Sequence, residues 1–148
     1  MNLHFVMGGA CNGKAEWVRS HYDMCQYPRE SWIKAYECSY YDWLSEDSDV
    51  SLVVVEGIEY WIRELSLQHE SDTVRSIWKE TLLHWARWEK EDWKRKVVII
   101  GSDITRGIVP VEKIDRKWRD DAGWTFQDTV QLCDRVDHIW YGIGQLIK

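Results

Sequence analysis

A short apolar run, Leu3 to Met7, leads directly into Gly8-Gly-Ala-Cys-Asn-Gly13-Lys14 and then into a stretch of helical character, Lys14 to Tyr22. This succession constrains the fold more than any other feature of the chain. A buried strand, a glycine loop and a helix in that order belong to a sheet whose helices pack back onto it. Within the loop, the Gly8-x4-Gly13-Lys14 spacing lets successive backbone N–H groups turn inward around a phosphate. The following helix presents its positive N-terminal end and Lys14 adds a full charge. The predicted phosphate-binding residues are therefore Gly8, Gly9, Ala10, Cys11, Asn12, Gly13, Lys14 and Ala15. At Ala15 the usual Ser or Thr is missing, and that hydroxyl normally ligates Mg²⁺. The loop thus argues for phosphate binding more strongly than for catalysis.

Two further apolar runs, Leu52 to Val55 and Val97 to Ile100, are continuous rather than alternating, as strands covered on both faces require. A weaker fourth strand is expected around His138 to Tyr141. Helical stretches at about Ile58 to Leu67, Ser71 to Lys94 and Glu112 to Cys133 alternate with them, which predicts an α/β fold with a mostly parallel sheet and helices on both faces. Between Met24 and Asp49 the pattern is harder to read. Pro28 interrupts it, Trp32, Ala35, Tyr36 and Tyr40 suggest a short helix, and Glu46 to Asp49 reads as a polar turn. At 148 residues, one domain spanning the whole sequence is sufficient.

A formal net charge of −6 does not supply the dense cationic surface of a general nucleic-acid binder, while a small charged ligand remains compatible. The four cysteines, Cys11, Cys25, Cys38 and Cys133, form no C-x-x-C pair and are read as reduced. With strand-sized apolar runs and no basic leader, a cytoplasmic protein is expected. The eleven tryptophans could be a stacking platform, but across Val74 to Trp88 the apolar residues Val74, Ile77, Trp78, Leu82, Trp85 and Trp88 fall at helical spacing, which favours packing. None of the five histidines has a partner at metal-ligand spacing.

Glu56 directly follows Leu52 to Val55, at the carboxyl end of a buried strand where α/β proteins place ligand-facing groups. It serves either to orient a metal-bound water or to cap the helix beginning near Ile58. Asp103 follows Val97 to Ile100 in the same way. Lys14, Glu56 and Asp103 would converge on one sheet edge as a cation and two carboxylates, a catalytic set suited to a nucleotide phosphate and Mg²⁺, with Glu56 as metal ligand. Beyond the Gly107-Ile-Val-Pro110 turn, Arg116, Arg119 and Asp120 are candidates for substrate contact or support, or else a solvated helix face.

Taken together, these residues resemble the bifunctional adenosylcobinamide kinase and adenosylcobinamide-phosphate guanylyltransferase family of cobalamin biosynthesis. The resemblance runs through Phe5 to Lys14, Leu52 to Glu56, Asp103, Gly107 to Pro110, Arg116, Arg119-Asp120, Gly123, Gln127, Asp134 and the closing Gly142 to Lys148. It implies a phosphate-loop fold, GTP or ATP with Mg²⁺, a corrinoid acceptor (adenosylcobinamide) and a homo-oligomer. Two departures stand out. Ala15 replaces the family's serine, and Tyr22 to Asp49 lacks the histidine that is guanylylated in the family, so transfer through a histidine intermediate has no nucleophile there. The resemblance therefore implies a kinase, or else a weakened paralogue that binds nucleotide or corrinoid as a regulator or partner.

Overall fold

Six strands of one sheet and four helices make up the described residues of the computed structural model, which are 3–23, 27, 30–42 and 50–148, together with their connections. The order is β1 (His4–Gly8), α1 (Lys14–His21), β2 (Glu30–Lys34), β3 (Leu52–Glu56), α2 (Ile58–Gln68), α3 (Ser71–Lys90), β4 (Lys96–Ser102), α4 (Lys113–Leu132), β5 (Arg135–Trp140) and β6 (Ile143–Leu146). The sheet runs β2-β3-β4-β1-β5-β6, parallel except for the antiparallel β5–β6 hairpin. This is the mostly parallel, phosphate-loop type of α/β fold that the strand and helix pattern predicts.

Both faces of the sheet are covered, which is why its central strands can be apolar throughout. On one face Phe5, Val55, Val97, Ile99 and Val136 pack with Trp61 and Ile62 of α2, Trp78, Leu82 and Trp85 of α3, and Phe126 of α4. On the other, Val6, Leu52, Val54, Val98, Ile100 and Ile139 meet Val18 of α1 and Tyr22. Trp61 and Trp78 are fully buried, and burying such rings contributes on the order of 2–3 kcal/mol each. Trp78 also donates its indole N–H to Thr129 Oγ1 at 2.8 Å, tying α3 to α4. The tryptophans at helical spacing in α3 are thus packing residues.

Two expectations need correction. The residues around Trp32 do not begin a helix: Glu30–Lys34 is a strand paired with β3 in the register Trp32↔Val54 and Lys34↔Glu56. Trp32 and Ile33 are residues that fit a half-buried pleated surface, and the open edge of β3 decided their conformation over local helical spacing. The chain then turns, and a short 3₁₀ segment follows at Tyr40–Asp42. Beyond the weak strand expected near His138, the chain also turns back as β6, a hairpin partner that its polar-glycine composition did not announce. Pro28, Cys25 and the turn expected at Glu46 to Asp49 lie outside the described residues. Among the described residues, no helix is long and apolar enough to cross a membrane.

Candidate functional site

At the carboxyl edge of the sheet, β1 ends in Gly8 and the chain winds through the glycine loop into α1. A side chain at Gly8 would meet the Ile139 carbonyl oxygen at 2.4 Å, so glycine is needed where β1 and β5 approach. Gly13 takes φ +80° and Cys11 φ +60°, left-handed conformations that bend the loop tightly before α1. Trp17 N–H then bonds Gly13 O at 2.9 Å as α1 begins. From the far side, the hairpin between β5 and β6 supports the loop: Gly142 N–H donates to Asn12 O at 2.8 Å.

Lys14 is buried at 8% exposure and folds back over the loop, its Nζ donating to Gly9 O at 2.6 Å. Burial holds its ammonium pKa below the ordinary value, against the attraction of Glu59, Cys11 and Glu56. The loop from Ala10 to Glu16 forms one wall of a cavity of about 540 Å³; Tyr36, Glu56, Gly57, Glu59, Tyr60, Ile100 and Ser102 complete it. The structure therefore brings Lys14 and Glu56 together.

Glu56 is the last residue of β3, and its carboxylate is held from β2. Trp32 donates its indole N–H to Glu56 Oε2 at 2.8 Å, and the Tyr36 hydroxyl approaches the same oxygen at 3.5 Å. Among the described residues Oε1 has no hydrogen-bond partner. Gly57, at φ +85°, turns the chain at once into α2. Glu56 accepts no N–H from the first turn of α2, which has no side-chain cap.

Reading the sequence alone missed Glu59, which lies in the first turn of α2, three residues after Glu56, and is 5% exposed. Its Oε1 accepts the Ser102 N–H at 3.0 Å. Burial pushes its carboxyl above the usual range, against that hydrogen bond and the nearby Lys14. The signal available was a second acid three residues after Glu56, in the first turn of α2, where a carboxylate meets the positive end of the helix. Tyr36 and Tyr60 also line the cavity, with rings 6.0 Å apart edge to face; Tyr36 was hidden by the misread segment before β3.

Asp103 leaves the same sheet edge, with its N–H bonded to Gly8 O at 2.9 Å, but its side chain turns elsewhere. One carboxylate oxygen accepts from Thr105 N–H at 2.9 Å and Thr105 Oγ1 at 2.5 Å, the other from Arg106 Nε at 3.2 Å. Burial raises its pKa, but the Thr105 and Arg106 contacts outweigh this and leave it below the usual carboxylate range. It lines a separate cavity of about 580 Å³ with Met7, Thr105, Gly123, Phe126 and Gln127. Arg116 donates to the carbonyls of Pro110 and Val111, Arg119 to the carbonyl of Thr105, and Asp120 is exposed. None of these three lines the phosphate-loop cavity; the arginines brace the connection before α4 instead.

The model of the family described as cobinamide kinase / cobinamide phosphate guanyltransferase matches residues 18–147. The chain belongs to this family. Its glycine loop precedes the matched span, so the phosphate-loop assignment rests on the geometry above and on the sequence pattern. The chain is also 26% identical over 53 residues to the bifunctional adenosylcobalamin biosynthesis protein CobP of Pseudomonas aeruginosa. That alignment covers 36% of this chain and 31% of the relative, so it spans about a third of that relative's length. Both reactions in the family's description, a kinase and a guanyltransferase step, consume a nucleotide.

Proposed function

We propose that this cobinamide kinase family member is a nucleotide-dependent adenosylcobinamide kinase, transferring a phosphoryl group from GTP or ATP to the hydroxyl of the corrinoid side chain. The observation that carries the reading is the single cavity shared by the glycine loop, Lys14 and Glu56. Loop N–H groups and the α1 N-terminus would hold the nucleotide phosphates, and Lys14 would leave Gly9 O to neutralise charge on the transferring group. Glu56 would present Oε1 toward the acceptor hydroxyl.

Mg²⁺ fits this donor set, because it is commonly held by one carboxylate together with substrate phosphates. Glu56 would hold it, and the ion would supply charge neutralisation on the phosphates. Ala15 contributes no hydroxyl to it. Asp103, Arg116 and Arg119 are assigned to support of the connection before α4.

The guanyltransferase half has less support. Among the described residues no histidine lines the cavity, and His21, at the end of α1, is stacked on Trp17 with ring centroids 4.7 Å apart. A second reading, a paralogue that binds nucleotide or corrinoid without turnover, is favoured by Ala15.

Incubation of the purified protein with GTP or ATP, Mg²⁺ and adenosylcobinamide tests the two readings: a phosphorylated corrinoid supports the kinase, and nucleotide binding without product supports the paralogue. Lys14→Ala is expected to abolish thermal stabilisation by nucleotide while circular dichroism of the free protein is unchanged. Undiminished stabilisation would reject the loop as the nucleotide site.

A further inference from the structure

Glu56 is the carboxylate on which the proposed site depends, yet nothing on its own strand fixes its orientation. What fixes it is β2, the strand added at the sheet edge. Lys34 is the register partner of Glu56, and Trp32, two residues earlier on β2, reaches Oε2 with its indole N–H at 2.8 Å. Tyr36, just beyond β2, adds the longer contact to that same oxygen. Both donors converge on Oε2, which leaves Oε1 without a partner among the described residues and with the cavity at hand.

The indole is itself held from the other side. The Arg19 guanidinium lies 4.4 Å from the centroid of the Trp32 ring. A guanidinium over an indole face is an attractive arrangement, and it also fills space against which the ring would otherwise rotate. Arg19 belongs to α1, the helix that opens at the phosphate loop. A continuous chain of contacts therefore runs from the loop's own helix through Arg19 and Trp32 to Glu56. Lys14 and Glu56 are set relative to one another through α1 and β2 as well as through the sheet.

We infer that Trp32 is a positioning residue for Glu56, fixing which carboxylate oxygen faces the bound nucleotide and acceptor. This rests on the reading of the cavity as a nucleotide site. A carboxylate free to rotate about its last torsion would present either oxygen, and a group that holds a metal-binding or reacting residue in place typically matters by ~10–100-fold. Trp32→Phe keeps an aromatic ring beneath Arg19 and removes the N–H donor together with part of the ring.

The test is a double-mutant cycle on Trp32→Phe and Glu56→Ala, read on kcat, on the KM for nucleotide and on the Kd for nucleotide with and without Mg²⁺. Trp32→Phe is expected to lower kcat about tenfold, or to weaken Mg²⁺-dependent binding by that factor if the protein binds without turnover. Binding without Mg²⁺ should stay within about twofold, because no loop N–H is touched. In the Glu56→Ala background Trp32→Phe should cost nothing further, since the group it acts through is gone. A merely structural role would instead lower the melting temperature and add its loss to that of Glu56→Ala, and that additivity overturns the inference. So does a Trp32→Phe variant indistinguishable from wild type. Wild-type protein that neither binds nor turns over nucleotide overturns the reading of the cavity itself, and this inference with it.

Discussion

The connections that follow β3 and β4 leave the same edge of the sheet with an acid at the strand end, and they use it in opposite ways. After β3, one glycine separates Glu56 from α2, and the side chain is left at the cavity with one oxygen free of partners among the described residues. After β4, a connection of residues 103–112 intervenes before α4, and Asp103 closes on its own loop through Thr105 and Arg106. The short connection has few backbone groups, and the Gly57 N–H is satisfied by Ile100 O at 2.9 Å rather than by the carboxylate. A longer one exposes N–H groups and side-chain donors that capture the nearest carboxylate. Position at a strand end therefore brings an acid to the edge, and the length of the following connection decides whether it remains available.

The sharpest way to break this contrast is to remove each acid. Glu56→Ala is expected to lower kcat by about 100-fold or more, the scale of a lost transition-state contact. Asp103→Ala should stay within about threefold in kcat while losing on the order of 1 kcal/mol of stability with its hydrogen bonds. Steady-state kinetics beside denaturant unfolding reads both, and equal losses of activity would erase the distinction.

The two connections also differ in how their glycines are constrained. Gly57 combines φ +85° with a ring carbon of Tyr36 only 3.0 Å from where a Cβ would sit, whereas Gly107, at φ +99°, has open space around it. Gly57→Ala should therefore cost about 2 kcal/mol or more, and Gly107→Ala about 1 kcal/mol from backbone strain alone. Thermal unfolding measures the gap, and a larger cost at Gly107 would contradict it.

The smallest effect concerns pH. Because the folded protein holds the Asp103 carboxyl below its ordinary range, its contribution to stability is present above the unfolded pKa, about 3.9, and is lost as the pH falls through the folded value. The difference in melting temperature between wild type and Asp103→Asn should be constant above about pH 5 and should close below about pH 4. A gap that instead widened on acidification would mean Asp103 is not held by Thr105 and Arg106.

Much of this arrangement was legible from residue order. Continuous apolar runs marked β1, β3 and β4 because strands buried on both faces have no polar side to alternate, and the glycine spacing marked the loop because glycine suits its close approach at Gly8 and its left-handed turn at Gly13. β2 was not legible. Its half-buried residues carry an aromatic pattern equally compatible with a helix, and only the edge of β3 selects the strand. With β2 misread, Trp32 and Tyr36 could not be seen to reach Glu56. Asp103 was placed correctly at its strand end, but its engagement by Thr105 and Arg106 depends on the path of a loop that sequence periodicity does not describe. The bracing roles of Arg116 and Arg119 were hidden for the same reason.

The hydrogen bond from Gly142 to Asn12 has a bearing on the order in which the molecule can assemble. Asn12 O, in the glycine loop, accepts from a residue of the β5–β6 hairpin that lies 130 positions later in the chain. Closing so long a stretch carries an entropic cost that a contact between near neighbours does not. A chain that extends only as far as α4 cannot make this contact, so the loop's sequence is present before this support for its shape.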